Sequence, residues 1–242
     1  MSRKHLRIFK PSHIRLRFDG YAKAVFRDFP TPYWSKLQSV HFEKKEPITV
    51  LDIGCGPGNW AIAAAKYNRN ASVTGIDINN DFLQLATEYR KRFSAHNAQF
   101  LKLNYRQIQR FFETESFDYV FTVNVLQYLD ERVYFEIVSK VLKGTGRLLM
   151  FSTEQIGWYL HTFLTGLKER NFVKIASSLL AVIAGVTDQR FPPGDRDHVV
   201  SFRRTRRIAM RYGIELKRIP QPCDRLLCFP FFFDIVGKTT AH

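Results

Sequence analysis

Apolar positions along the chain follow two rhythms that take turns. Short β-branched runs read as buried strands, and apolar residues recurring every three or four positions read as helices with one buried face. The run Ile48 to Ile53 is followed by an alanine-rich stretch from Ala61 to Ala65, which predicts a strand and then a helix. Ser72 to Asp77 predicts a second strand, and Asp81 to Arg92 a helix with Asn80 or Asp81 as its N-cap. Gln99 to Leu103 and Phe117 to Val123 predict the third and fourth strands. A helix over Glu131 to Leu142, closed by Gly144, leads to a fifth strand over Gly146 to Ser152. Strands that alternate with helices imply a parallel sheet covered on both faces.

The two ends of this series carry additions. Tyr21, Ala22, Val25, Phe26 and Phe29 recur at helical spacing until Pro30-Thr31-Pro32, and Tyr33, Trp34 and Leu37 suggest a second short helix. Residues 1–45 therefore read as a helical cap, with residues 1 to about 17 as a basic arm or a solvated terminus. After the fifth strand, Ile156, Tyr159, Leu160, Phe163, Leu164 and Leu167 describe one amphipathic helix. Phe172, Ile175, Ala176, Leu179, Leu180 and Ile183 describe another. This insert, residues 155–190, lies where a lid would stand over a ligand crevice; extra core packing is the alternative. A loop from Gln189 to His198 then leads to a helix. That helix turns Phe202, Thr205, Ile208, Ala209 and Tyr212 inward and Arg203, Arg204, Arg206, Arg207 and Arg211 outward. Ile214 to Ile219 and Leu226 to Val236 are close enough in sequence to pair antiparallel. The expected fold is one α/β domain over residues 1–242: a Rossmann-like, seven-stranded, mostly parallel sheet with its last strand antiparallel, plus the cap and the inserted lid.

Charge and cysteine content narrow the setting. Lysine and arginine total 37 against 22 acidic residues, a net charge of +15, which favours an anionic partner: nucleic acid, a membrane surface or an acidic substrate. The three cysteines, Cys55, Cys223 and Cys228, are odd in number and lack metal-ligand spacing, so neither a disulfide framework nor a metal site is expected. That composition suits a reducing compartment, and the expected location is cytoplasmic, with peripheral membrane contact as a variant. No apolar run follows the basic start as a signal peptide would require. The nearly apolar stretch from Ile175 to Val186 is too short to span a bilayer.

The chemistry centres on Gly54-Cys55-Gly56-Pro57-Gly58, placed between the first strand and its helix. Glycines here let the backbone turn sharply and approach a ligand closely. Asp77 ends the second strand about twenty residues later, where a carboxylate accepts hydrogen bonds from ribose hydroxyls. Dinucleotide and S-adenosylmethionine sites share that feature. Asp52 adds a negative charge inside the first strand, an awkward neighbour for a pyrophosphate. Val50-Leu51-Asp52-Ile53-Gly54-Cys55-Gly56-Pro57-Gly58 resembles the first motif of class I S-adenosylmethionine-dependent methyltransferases, and Asp77 matches that family's ribose-binding acid. The resemblance covers roughly residues 46–153 and implies S-adenosyl-L-methionine as cofactor. It also implies cofactor contacts from Asp52, Gly54, Cys55, Gly56, Gly58, Asp77, Ile78 and Phe82, with Asn104 and Tyr105 near the adenine and Asn124 and Val125 near the methionine moiety. Asn104 stands where the family often has aspartate.

The segment after the fourth strand lacks the Asn/Asp-Pro-Pro-aromatic pattern of amino-methylating nucleic-acid enzymes. The cap and the insert instead resemble the small-molecule branch of the family. The expected reaction is methyl transfer to a small-molecule or lipid-like acceptor, an anionic one included, at oxygen or nitrogen by in-line displacement. His198, His161 and Tyr21 are the candidate general bases, should one be needed. Two alternatives stand beside it: an RNA methyltransferase, drawn from the charge, and a non-catalytic cofactor-binding or membrane-associated partner protein that keeps the cradle.

Overall fold

The computed structural model describes residues 11–153, 155–173, 175–179, 200, 202–219, 225–226, 229–230 and 232–239. Two helices, α1 (Pro11–Val25) and α2 (Thr31–Ser39), precede the sheet. The series β1 (Thr49–Ile53), α3 (Asn59–Tyr67), β2 (Ser72–Asp77), α4 (Asn80–Arg92) and β3 (Ala98–Lys102) follows. A one-turn helix α5 (Ile108–Phe111) leads to β4 (Phe117–Val123), α6 (Glu131–Val141) and β5 (Leu142–Thr153). Beyond these lie α7 (Gln155–Lys168), α8 (Phe202–Met210) and β6 (Ile214–Ile219). The short strands β7 (Arg225–Leu226) and β8 (Phe229–Pro230) pair with each other, and β9 (Phe232–Thr239) closes the series.

Seven strands form one sheet in the order β3-β2-β1-β4-β5-β9-β6. The five strands from β3 to β5 are parallel, and β9 runs antiparallel to both β5 and β6. Alternation within each central strand feeds two cores. Leu51, Val120, Leu148 and Met150 join one with α6 and α8, whereas Val50, Phe121, Leu149 and Phe151 join the other with α2 and α3. The chain turns from one side of β1 to the other between β3 and β4, so a crevice opens at the carboxyl ends of β1 and β4.

Several boundaries differ from the sequence expectation. The α4 N-cap is Asn79, whose side chain accepts from the Asp81 and Phe82 amides, rather than Asn80 or Asp81. Gly144 does not close α6: the helix ends at Val141, and the buried Leu142 is already extended and paired with Phe117. Part of the basic start is helical, because α1 begins at Pro11. The expected strand from Leu226 to Val236 is instead the short β7–β8 pair followed by β9. Of the expected insert, α7 and the helical residues 172–173 and 175–179 are described, and most of its second half lies outside the described residues. Arg204 does not point outward. Its Nε sits 3.2 Å from Oε2 of the buried Glu131, whose Oε1 accepts a 2.7 Å bond from Thr205. Packing of α8 on α6 brings these groups together.

Candidate active site

The glycine turn is fixed by backbone before any side chain is considered. The amides of Gly54 and Cys55 both donate to the Ile76 carbonyl, at 2.8 and 3.0 Å. Gly54, Gly56 and Gly58 all take positive φ, a region that costs other residues about 1–2 kcal/mol. A Cβ on Gly54 would stand 2.5 Å from Val125 Cγ2, whereas one on Gly56 would meet nothing within 4 Å. Gly54 is therefore closed by its neighbour, and Gly56 faces open space. Gly58 has a different role. It begins α3, and a Cβ there would strike Phe100 and Ala86, so it packs the helix against the sheet and lines neither cavity described next.

A cavity of about 840 Å³ lies along the turn. Gly54, Gly56, Asp77, Ile78, Phe82, Asn104, Tyr105, Asn124 and Val125 line it, as the motif implies. Asp77 does more than face the cavity. Its Oδ2 accepts from the Gly56 amide at 2.9 Å and its Oδ1 from the Asn79 amide at 2.8 Å, so it latches the turn to the next helix. Asn104 caps a short turn by accepting from Arg106, and the Tyr105 hydroxyl accepts from the Asp130 amide. Asn124 holds a left-handed conformation with φ 50° at the end of β4, on the wall of this cavity. Tyr128 belongs to the segment from Asn124 to Leu129 expected near the methionine moiety, whereas sequence reasoning missed Phe18, Arg106 and Asp130 on this wall. Their spacing gave no signal because each comes from a different element.

A second cavity of about 320 Å³ shares Tyr21, Gly54, Gly56, Val123 and Asn124 with the first. Asp52 and Cys55 line it, together with Tyr33, Lys36, Trp60 and Phe151 from α2, α3 and β5. Asp52 is 2% exposed, and its Oδ2 has no hydrogen-bond partner. Burial pushes its carboxyl up to about 7, Asp77 adds to the rise, and the Ala61 amide opposes it. Burial likewise raises the Cys55 thiol well above its ordinary value, with Asp52 and Asp77 contributing, so Cys55 is a small inert side chain here. Tyr21 stands on the shared wall, its phenol raised by burial and then by Tyr128. His198 lies outside the described residues. His161 falls within α7.

An orphaned buried carboxylate beside open backbone fits a cationic ligand better than a phosphate, since an arriving cation would stabilise the charged form that burial disfavours. S-adenosylmethionine carries a sulfonium and an ammonium and no phosphate, so the residues present fit it. Asp77 retains lone pairs for a ribose, and Phe82 and Tyr105 line the same cavity.

The comparisons agree. A demethylmenaquinone methyltransferase of Staphylococcus aureus is 31% identical over 128 residues, 50% of this chain and 50% of that one. The mitochondrial ubiquinone biosynthesis O-methyltransferase of Candida albicans is 29% identical over 120 residues, 48% of this chain and 36% of that one. The chain thus spans half or less of these curated relatives. A SAM-dependent methyltransferase from Aquifex aeolicus has the same fold, with a TM-score of 0.58 at 18% identity over 95% of this chain and 98% of that one. A family model described as a methyltransferase domain matches residues 44–187, and the chain belongs to that family, the class I S-adenosylmethionine-dependent methyltransferases.

Proposed function

We propose that the protein transfers a methyl group from S-adenosylmethionine to a small-molecule acceptor at oxygen or nitrogen. The observation that carries this reading is the orphaned Asp52 carboxylate beside the glycine turn, with Asp77 latched across it. Bound S-adenosylmethionine supplies an electrophilic methyl group on a cationic sulfur. The chain's own contribution is to hold and align. Gly54 and Gly56 admit the ligand to the backbone, Asp77 meets the ribose, and Asp52 favours the cationic end. Alignment of this kind supplies much of the acceleration in a displacement reaction. The curated relatives' names, a demethylmenaquinone methyltransferase and an O-methyltransferase of ubiquinone biosynthesis, support a quinone-like small molecule as acceptor. Calorimetry tests the base of the proposal. Binding of both S-adenosylmethionine and S-adenosylhomocysteine is expected, and absence of heat with both overturns it.

A lipid-like acceptor reached by peripheral membrane contact is a second reading. Phe172 is 81% and Val173 79% exposed beside Lys168 and Arg170, an apolar and basic edge on the insert. No helix among the described residues is long and apolar enough to cross a membrane. Flotation with anionic liposomes is expected to recover the protein, and Phe172→Glu to reduce that recovery. An RNA acceptor, the alternative drawn from the charge, would instead show binding that falls steeply with salt.

A further inference from the structure

The carboxyl ends of three neighbouring strands form a row along the larger cavity. The glycine turn follows β1, Asp77 ends β2, and Asn104 stands just past β3. Adjacent strands lie about 4.8 Å apart. A donor whose cationic end meets the turn and whose ribose meets Asp77 therefore carries its base to Asn104. This placement rests on the methyl-donor reading of the cavity.

The side chains at that end are alike in what they leave free. Oδ1 of Asn104 accepts from the Arg106 amide at 3.0 Å and so caps the short turn from Tyr105 to Gln107. A cap requires an acceptor, and this fixes how the side-chain amide is turned. Its oxygen meets the backbone, and Nδ2, which can only donate, has no partner among the described residues. A carboxylate in the same place would keep a second oxygen for a ligand. The neighbours share the polarity. The Tyr105 hydroxyl accepts from the Asp130 amide at 3.1 Å, which leaves its proton to donate. Arg106 carries donors alone. The Asp130 oxygens are engaged: Oδ1 takes the Arg132 and Val133 amides, and Oδ2 lies 3.7 Å from Arg106 Nη2.

We infer that this end of the cavity reads acceptor atoms of a purine and leaves the exocyclic amine unread, so that Asn104 relaxes base selection toward 6-oxopurines. Adenine offers ring nitrogens to these donors, and hypoxanthine offers its 6-oxygen. That oxygen would be repelled by a carboxylate, whereas Nδ2 can donate to it. The exocyclic amine of adenine, a donor, finds no complementary side chain in Nδ2.

The test is calorimetric titration with S-adenosylhomocysteine and with S-inosylhomocysteine, its 6-oxopurine counterpart. The wild-type protein is expected to bind the 6-oxopurine form no more than about fivefold more weakly than the adenine form. Asn104→Asp keeps an oxygen on the Arg106 amide, so its melting temperature should match that of wild type. Its second oxygen accepts from the amine and repels the 6-oxygen. The preference for S-adenosylhomocysteine should therefore rise by at least about fivefold over wild type in that variant. A wider gap in wild type, or a smaller change in Asn104→Asp, overturns the inference and leaves the donor reading intact. Failure to bind S-adenosylhomocysteine overturns the donor reading and this inference with it.

Discussion

The two cavities share a wall and are built from different materials. The larger one is edged by strand ends and turns whose polar groups already have partners within the protein. Asp77 holds two amides, Asn104 holds one, and the Tyr105 hydroxyl holds another. The smaller one is closed by a helix laid over the sheet, and its buried acid, Asp52, keeps one oxygen without a partner. Satisfied polar groups make a scaffold whose shape persists without ligand. A buried polar group left without a partner is costly in the empty protein and becomes useful when a charged ligand arrives. Two carboxylates beside one glycine turn thus have opposite energetic roles.

The largest expected effect comes from Asp52. Its carboxyl titrates near 7 in the folded protein against an ordinary value of 3.8, so the folded state keeps a proton that the unfolded chain releases. The resulting stability is fully present below pH 3.8 and is lost as pH rises to about 7. The size is at most about 4 kcal/mol, from roughly three pK units at 1.36 kcal/mol each. Asp52→Asn should flatten this dependence, melting higher than wild type at pH 8 with a smaller difference at pH 5. The same variant should bind S-adenosylmethionine more weakly than wild type, with less effect on the uncharged thioether product. Wild-type affinity for S-adenosylmethionine should tighten by up to about tenfold per pH unit toward pH 7, since the cation favours the ionised acid. Equal slopes of melting temperature against pH in wild type and Asp52→Asn would remove the asymmetry between the two acids.

Much of this arrangement was legible from residue type and spacing. β-branched runs marked β1 and β2, and the step from Asp52 through the glycines to Asp77 marked where the crevice would open. What escaped depends on partners distant in sequence. Leu142 looked like the last turn of a helix, but pairing with Phe117 draws it into β5. Arg204 lay on the polar side by spacing, yet α6 presents Glu131 there. Gly58 belonged to the motif, and its role is set by Phe100 and Ala86. Tyr33 and Lys36 fell within the helical cap, and only the packing of α2 on α3 sets them beside Trp60 around one cavity.

The glycines come next in size and separate scaffold from opening. Gly54→Ala would set a Cβ 2.5 Å from Val125 at φ +71°. Backbone strain of about 1–2 kcal/mol and crowding of about 1–3 kcal/mol together predict a loss of roughly 3 kcal/mol in stability. Gly56→Ala meets no neighbour within 4 Å, so denaturant unfolding should show only the strain of about 1 kcal/mol. Its cost should appear in calorimetry as weaker cofactor binding, because the new methyl group enters the cavity. Equal destabilisation by both substitutions would mean that the two faces of the turn are not distinct.

Asp77→Asn should have the smallest effect and is the closest control for Asp52. The asparagine keeps one acceptor oxygen, but its amide nitrogen must then face the amide of Gly56 or of Asn79, a donor against a donor. One charge-assisted bond is lost, worth about 1.5–3 kcal/mol when fully buried and less at this half-buried position. Because the residue faces the ribose and the turn rather than the sulfur, S-adenosylmethionine and S-adenosylhomocysteine should weaken alike, by roughly tenfold each. The comparison belongs at pH 8, where Asp52 is already ionised, because Asp77 adds to the rise of the Asp52 carboxyl. A loss at Asp77 confined to S-adenosylmethionine, matching that at Asp52, would show that both acids answer to the cation and that the latch contributes little.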